Sequence, residues 1–370
     1  MKDTSKKTLK NVFASLISND SAIDGAKTAP WWIAIIFLIL GTFMPIIPIM
    51  VSSSKSYGAS FMSGYTYGYE QALASASNDM MKDGYSFKIN DSHQLLAYKD
   101  GNLLEVDAEA GINLVGYYDS DEKYNGADTK YRALNVYYTD RPFSGVKALR
   151  KTIEATKYYL HSNVVLNSVE DETQKQALID ASEGKSYIPS YVILYKEGLV
   201  SRIYKYASES AAASTYDGCD WKKFEADTDL LTKVCTVEGY DLAKAEENVK
   251  DIKYVEGVKA NWANVYNKAY QNKKVQSFWF TSGLYYGIYL VLAFFMGLLM
   301  FLLTRGKNNP NRNLTLWHTV KISMWIDFTP GLLAMILGFV WSPTAGIGYI
   351  ALMGIRTMWL SMRQLNPSAQ

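Results

Sequence analysis

WWIAIIFLILGTFMPIIPIMV, residues 31–51, runs for 21 residues without a charged side chain. As an α-helix rising about 1.5 Å per residue, it is long enough to cross a hydrocarbon core of roughly 30 Å. Three further apolar stretches follow at Phe278–Leu303, Leu316–Trp341 and Ala345–Leu360. The expected fold class is therefore a membrane protein with four transmembrane α-helices and one α+β extracytoplasmic domain inserted between helices 1 and 2. The expected division is a cytoplasmic tail 1–30, span 31–51, exterior domain 52–275, span 276–304, cytoplasmic loop 305–314, spans 315–341 and 345–362, and a tail 363–370.

Pro45 and Pro48 fall in the outer half of the first stretch, where they kink a helix without preventing a crossing. The run exceeds the 7–15 residues usual for the core of a signal peptide, and no A-x-A-like site precedes Val51-Ser52-Ser53-Ser54-Lys55. An uncleaved anchor is expected.

Charge supplies the orientation. The near-zero mean hydropathy of −0.10 hides two unlike populations. Residues 52–275 hold 27 Lys and Arg against 32 Asp and Glu, whereas the remainder holds 11 against 4. Lys2, Lys6, Lys7, Lys10 and Lys27 precede the first span, Arg305, Lys307 and Arg312 lie between the second and third, and Arg363 follows the fourth. The positive-inside bias places both termini and the 305–314 loop in the cytoplasm, with the acidic insert outside the cell.

Leu9, Val12, Phe13, Leu16 and Ile17 recur at helical spacing with lysines off that face. They predict an amphipathic helix over 6–17, lying on the inner leaflet or packed on the ends of the spans. Within the insert, residues 59–82 are expected to be helical. Asp100-Gly101 marks a two-residue hairpin between 93–99 and 102–107. Ile112–Tyr118 and Ala133–Tyr138 are strand candidates, and Tyr191–Tyr195 with Leu199–Tyr206 form a second hairpin about Lys196-Glu197-Gly198. Helices are expected at 144–161 and 169–183, the latter capped by Ser168. The polar stretch 207–218 is expected to be a loop, and from about 241 the chain should be helical into the second span.

The two cysteines, Cys219 and Cys235, both lie in the insert. They are either a disulfide, as an oxidising exterior permits, or two free thiols. The sharpest chemical signal is intramembrane. Asp327 lies about 16 Å into the third span, and Arg356 lies in the second half of the fourth. Counted from the turn at Pro343, the two fall within about 5 Å of one depth. An isolated charge at the centre of a span costs about 2.5–3.5 kcal/mol, so an ion pair between Asp327 and Arg356 is expected. It would be either a structural clasp or a proton or substrate relay. His318 and Lys321, near the cytoplasmic end, are expected to snorkel to lipid phosphate. Gly346, Ile350 and Gly354 form a small-residue face suited to close helix contact.

No catalytic, cofactor-binding or metal-ligating pattern is present. His93, His161 and His318 are scattered, and there is no phosphate-cradling glycine loop, nucleophile elbow or His-Glu-x-x-His. An acidic exterior domain excludes nucleic acid as a partner. The 28 tyrosines suit half-buried strands and membrane belts, or a surface that stacks on sugars.

Phe13-Ala14-Ser15-Leu16 ahead of the first span, and Leu314-Thr315-Leu316-Trp317-His318 leading to Thr329-Pro330 in the third, resemble the maltodextrin-utilisation membrane proteins of Gram-positive bacteria. That family has one anchor, an exterior domain and then a cluster of spans, and is often encoded beside maltodextrin ABC-importer components. The resemblance implies a non-enzymatic membrane protein whose extracellular domain binds or senses a ligand as an accessory to carbohydrate import. Its expected partners are membrane lipid, ABC-importer subunits and carbohydrate or wall polymer. The residues themselves leave two alternatives: a small proton-coupled transporter using Asp327 and Arg356, and a cell-envelope assembly or stress factor.

Overall fold

The computed structural model describes residues 13–62, 69–120, 123–124, 127–128, 131–160, 162–204, 214–307 and 309–365. The chain divides into two compact units, one of Tyr57–Lys273 and one formed by the flanking segments. Three stretches, Trp31–Ser54, Ile252–Leu303 and Leu316–Val340, are long and apolar enough to cross a membrane, and the other unit mixes helices with β-sheet.

The N-terminal flank forms α1 (Asn19–Thr28), α2 (Trp31–Phe43) and α3 (Ile46–Ser54). Proline accounts for the break between α2 and α3. Pro45 brings no N–H to the Gly41 carbonyl four residues back, so the ladder is interrupted at Met44-Pro45. Most of the amphipathic helix expected over 6–17 lies outside the described residues. Beyond it, Phe13 begins a single turn, and the regular helix starts instead at Asn19, where the Ser18 hydroxyl accepts from the Ser21 amide.

The lobe contains α4 (Tyr69–Lys82), β1 (Tyr85–Ile89), β2 (Leu95–Lys99), β3 (Asn102–Leu103), β4 (Asn113–Ser120), β5 (Lys123–Tyr124), β6 (Ala127–Asp128), β7 (Tyr131–Thr139) and α5 (Phe143–Ala155). It continues with β8 (Tyr158–Tyr159), α6 (Glu172–Ala181), β9 (Ser186–Tyr187), β10 (Ser190–Tyr195), β11 (Gly198–Ile203), β12 (Ser214–Asp220), α7 (Leu230–Cys235) and the short α8 (Ala245–Asn248). The central sheet has the order β12-β11-β10-β7-β4, in which only β10 and β7 run parallel.

β10, Ser-Tyr-Val-Ile-Leu-Tyr, is buried at every position because both faces of the sheet are covered. Tyr191, Ile193 and Tyr195 pack with Val146 and Ile153 of α5. Val192 and Leu194 pack on the opposite side with residues of α4, α7 and β1. The two-residue alternation of a strand thus distributes one apolar run between two cores. The β2–β3 hairpin turns as expected at Asp100-Gly101, both with positive φ, at 49° and 82°.

Two local expectations are corrected. Asp171, not Ser168, caps α6, because its carboxylate reaches the Thr173 and Gln174 amides, whereas the Ser168 hydroxyl donates to the Val165 carbonyl. Part of the expected 207–218 loop is β12, whose small polar residues pair antiparallel with β11. Residues 205–213 lie outside the described residues.

The last helices are α9 (Ile252–Leu303), α10 (Leu316–Val340) and α11 (Ser342–Leu360). α9 is one helix of 52 residues. α11, at 19 residues, is the fourth stretch expected to span, and is not among the three that are long and apolar enough.

Within the flanking unit, α2 and α10 cross at two glycines. A Cβ on Gly331 would lie 2.8 Å from the Gly41 carbonyl carbon and Cα, and one on Gly41 would lie 2.8 Å from the Asp327 carbonyl. Backbones approach this closely only where no side chain intervenes. The Gly41 carbonyl, freed by Pro45, faces the Gly331 Cα–H, a weak donor. Trp325 stacks on Phe37 with centroids 4.9 Å apart, and Gly25 of α1 lies against the same indole.

Candidate functional site

Asp327 is fully buried in the flanking unit. Its Oδ1 accepts from the Tyr349 hydroxyl, and its Oδ2, packed on the Gly41 backbone, has no hydrogen-bond partner among the described residues. The Tyr349 ring packs on Tyr289 at 4.6 Å, and the Tyr289 hydroxyl is likewise without a partner.

The expected direct ion pair between Asp327 and Arg356 does not form. No carboxylate of a described residue lies within 4.0 Å of the guanidinium. Arg356 instead donates from Nη1 to the Ile326 carbonyl at 2.9 Å, from Nε to Asn19 Oδ1 at 3.2 Å, and from Nη2 to the Ser15 carbonyl. Proline is the physical reason. Pro330 sits inside α10, so the carbonyl four residues earlier, that of Ile326, has no helical donor. An unsatisfied carbonyl in an apolar interior is costly, and a guanidinium with five N–H groups satisfies it while spanning to the N-terminal segment. Arg356 therefore satisfies the carbonyl that Pro330 leaves without a donor, and Tyr349, two turns earlier on α11, takes the carboxylate.

The sequence reading missed Tyr349, Asn19 and Ser15. Two signals were available: Pro330 four residues after Ile326, and Tyr349 seven residues before Arg356 on one helical face. The Lys321 Nζ is held by the Ala29 carbonyl and lies 5.5 Å from the Trp31 ring centroid. His318 sits in the first turn of α10, with its ring 2.7 Å from the Thr315 hydroxyl. Of the small-residue face, Gly346 meets the Tyr289 hydroxyl, Gly354 faces open space and Ile350 is exposed.

The lobe carries a second constellation, a cleft of about 580 Å³ lined by His93, Gln94, Phe143, Tyr195, Glu197 and Asp220 among others. Two turns build it. Asn90 closes the β1–β2 turn by accepting from the Gln94 amide at 2.9 Å, which holds His93 at φ 55°, its buried Nδ1 unpartnered among the described residues. In the β10–β11 turn, the Lys196 carbonyl accepts from the Leu95 amide at 2.9 Å, and Glu197 accepts from the Phe143 amide at 3.4 Å. Asp220 is fixed by the Asn272 side chain at 3.0 Å and by the Lys222 amide at 3.1 Å. The cleft thus offers carboxylates, an imidazole, an amide and an ammonium beside one aromatic wall.

Cys219 also lines this cleft, but its thiol and that of Cys235 are free and buried, not bonded to one another. Cys219 ends up on the edge strand β12 and Cys235 at the last residue of α7, each packed among apolar neighbours. Burial pushes both thiols up to about 12, which keeps them protonated and unreactive at neutral pH. Among the described residues no three His, Cys, Asp or Glu side chains converge as metal ligands. His161 lies outside the described residues. No protein family, no curated protein and no solved structure matches this chain.

Proposed function

We propose that this chain is a multi-pass membrane protein of four spans whose lobe, outside the cell, binds a polyhydroxylated ligand and serves carbohydrate import as an accessory. Both termini lie in the cytoplasm on this reading, and the protein acts by binding, not by catalysis. The observation that carries it is the lobe cleft, where His93, two carboxylates and aromatic rings line one space of sugar-ligand size. The lysine-bearing ends and the acidic insert support the orientation. The resemblance to maltodextrin-utilisation membrane proteins supports the ligand class and the importer partner.

The test uses the full-length protein in mild detergent with linear maltodextrins of increasing length. Binding should raise the unfolding midpoint in a saturable way, and Glu197→Gln and His93→Ala should each abolish the increase. Importer subunits should co-purify with the tagged protein. A midpoint that no maltodextrin moves, together with loss of every importer subunit on gentle extraction, ends this reading.

One observation favours a second reading, a proton-coupled transporter: Asp327 Oδ2 and the Tyr289 hydroxyl lack partners among the described residues. Against it, the carboxylate is fully buried and packed on Gly41, which leaves no room for a substrate. Uptake into vesicles driven by a pH gradient, abolished by Asp327→Asn, would favour the transporter.

A further inference from the structure

A groove of about 390 Å³ opens on the flanking unit where the N-terminal segment meets α10 and α11. Leu16, Leu333, Leu352, Ile355 and Trp359 make its walls apolar, and Arg356 is the one cation among them. Leu352, Arg356, Trp359 and Arg363 follow one another at four, three and four residues, so they form a single stripe. Arg363 stacks on the Trp359 ring at 4.5 Å from the centroid, and both are exposed. From Leu352 to Arg363 the stripe covers about 16 Å, one half of a roughly 30 Å hydrocarbon core.

Arg356 is the informative member. Its guanidinium is half-buried, and three neutral oxygens satisfy three of its N–H groups. No carboxylate of a described residue lies within 4.0 Å to balance the charge. A cation in an apolar setting with no carboxylate in direct contact is costly and draws an anion or ester oxygens toward it. The two remaining N–H groups belong to a side chain that lines the groove. Trp359 and Arg363 mark the polar end, the position interfacial aromatic and basic anchors occupy.

We propose that this groove is a binding site for one anionic diacyl phospholipid of the inner leaflet. The phosphate lies over Arg363, the ester carbonyls reach toward Arg356, and one acyl chain lies along Trp359, Ile355, Leu352 and Leu333. Charge complementarity selects this occupant over zwitterionic lipid, because Arg356 lines the groove, Arg363 stacks on its Trp359 end, and no carboxylate is among the described residues that line it. The proposal rests on the reading that the α10–α11 hairpin is membrane-embedded.

The test uses full-length protein in vesicles of unbrominated phosphatidylcholine, with phosphatidylglycerol or phosphatidylcholine brominated on its acyl chains added at increasing mole fraction. The Trp359 signal is the difference between the parent protein and Trp359→Phe. Brominated phosphatidylglycerol should quench that signal at a several-fold lower mole fraction than brominated phosphatidylcholine. Arg363→Ala, at an exposed position, should bring the two curves together. Equal quenching by both lipids in the parent protein, selectivity that survives Arg363→Ala, or no quenching of Trp359 at all, each overturns the proposal. If the hairpin is not embedded, quenching is lost for the exposed Trp341 as well. Failure of the lipid site alone leaves the Trp341 signal intact.

Discussion

Replacing Gly331 with alanine tests the helix crossing on which the flanking unit depends. A Cβ there would sit 2.8 Å from the carbonyl carbon and Cα of Gly41, and would also strike its carbonyl oxygen. These are backbone atoms of a neighbouring helix, so no side chain can rotate away to make room. Overpacking of this kind costs typically 1–3 kcal/mol, and a backbone obstacle belongs at the upper end, about 3 kcal/mol. Alanine regains about 1 kcal/mol over glycine through helix propensity. The net is about 2 kcal/mol of destabilisation, roughly a 30-fold change in the unfolding equilibrium. Gly354→Ala supplies the contrast, because nothing lies within 4 Å of its Cβ position, and propensity alone should stabilise it. The assay is reversible unfolding in mixed micelles by titration with a denaturing detergent, read by tryptophan fluorescence. Opposite signs for the two variants are expected. If Gly331→Ala were as stable as the parent, or followed Gly354→Ala in sign, the close crossing of α2 and α10 would be refuted.

Pro330→Ala returns a helical N–H to the Ile326 carbonyl, so Arg356→Met should cost less in that background than in the parent, a coupling measurable by a double-mutant cycle in the same assay. Additive costs would mean that Arg356 does not serve the carbonyl freed by proline. Neither Cys219 nor Cys235 should react with a maleimide at pH 7.5 in the native protein, both should react in denaturant, and reducing agent should leave electrophoretic mobility unchanged. In the lobe, burial raises Tyr137, Tyr254 and Tyr266 to about 12 from an ordinary value of 10. A phenol whose pKa is raised by folding contributes stability that is whole below pH 10 and is lost as the pH climbs through 12. Absorbance at 295 nm should therefore show these tyrosines ionising together with loss of structure, and early independent titration near pH 10 would contradict their burial.

The elements that the sequence made legible are those governed by local chemistry. Trp31–Val51 announces a helix because no charge interrupts it, and Pro45 announces its break because a missing N–H is a property of the residue. Asp100-Gly101 forms its turn because positive φ is needed at both positions. The sheet strands over 113–120, 131–139, 190–195 and 198–203 follow from β-branched and aromatic runs between turn residues. Where two local solutions compete, the sequence is less decisive. Ser168 and Asp171 both resemble caps, and the carboxylate three residues on wins because it reaches two amides instead of none.

What the sequence by itself determined is that apolar helices of membrane-crossing length flank a polar insert, and that Asp327 and Arg356 come to similar depth on neighbouring helices. Only the tertiary structure decided what each charge touches. A guanidinium chooses among every acceptor within reach, and one of the three it takes is a carbonyl that Pro330 left without a donor, on the residue just before the expected partner. The carboxylate chooses in turn, and finds the Tyr349 hydroxyl. Spacing along a helix fixes depth and face, but the identity of a hydrogen-bond partner depends on distances of a few tenths of an ångström between separate segments, which pairwise patterns in one chain do not encode.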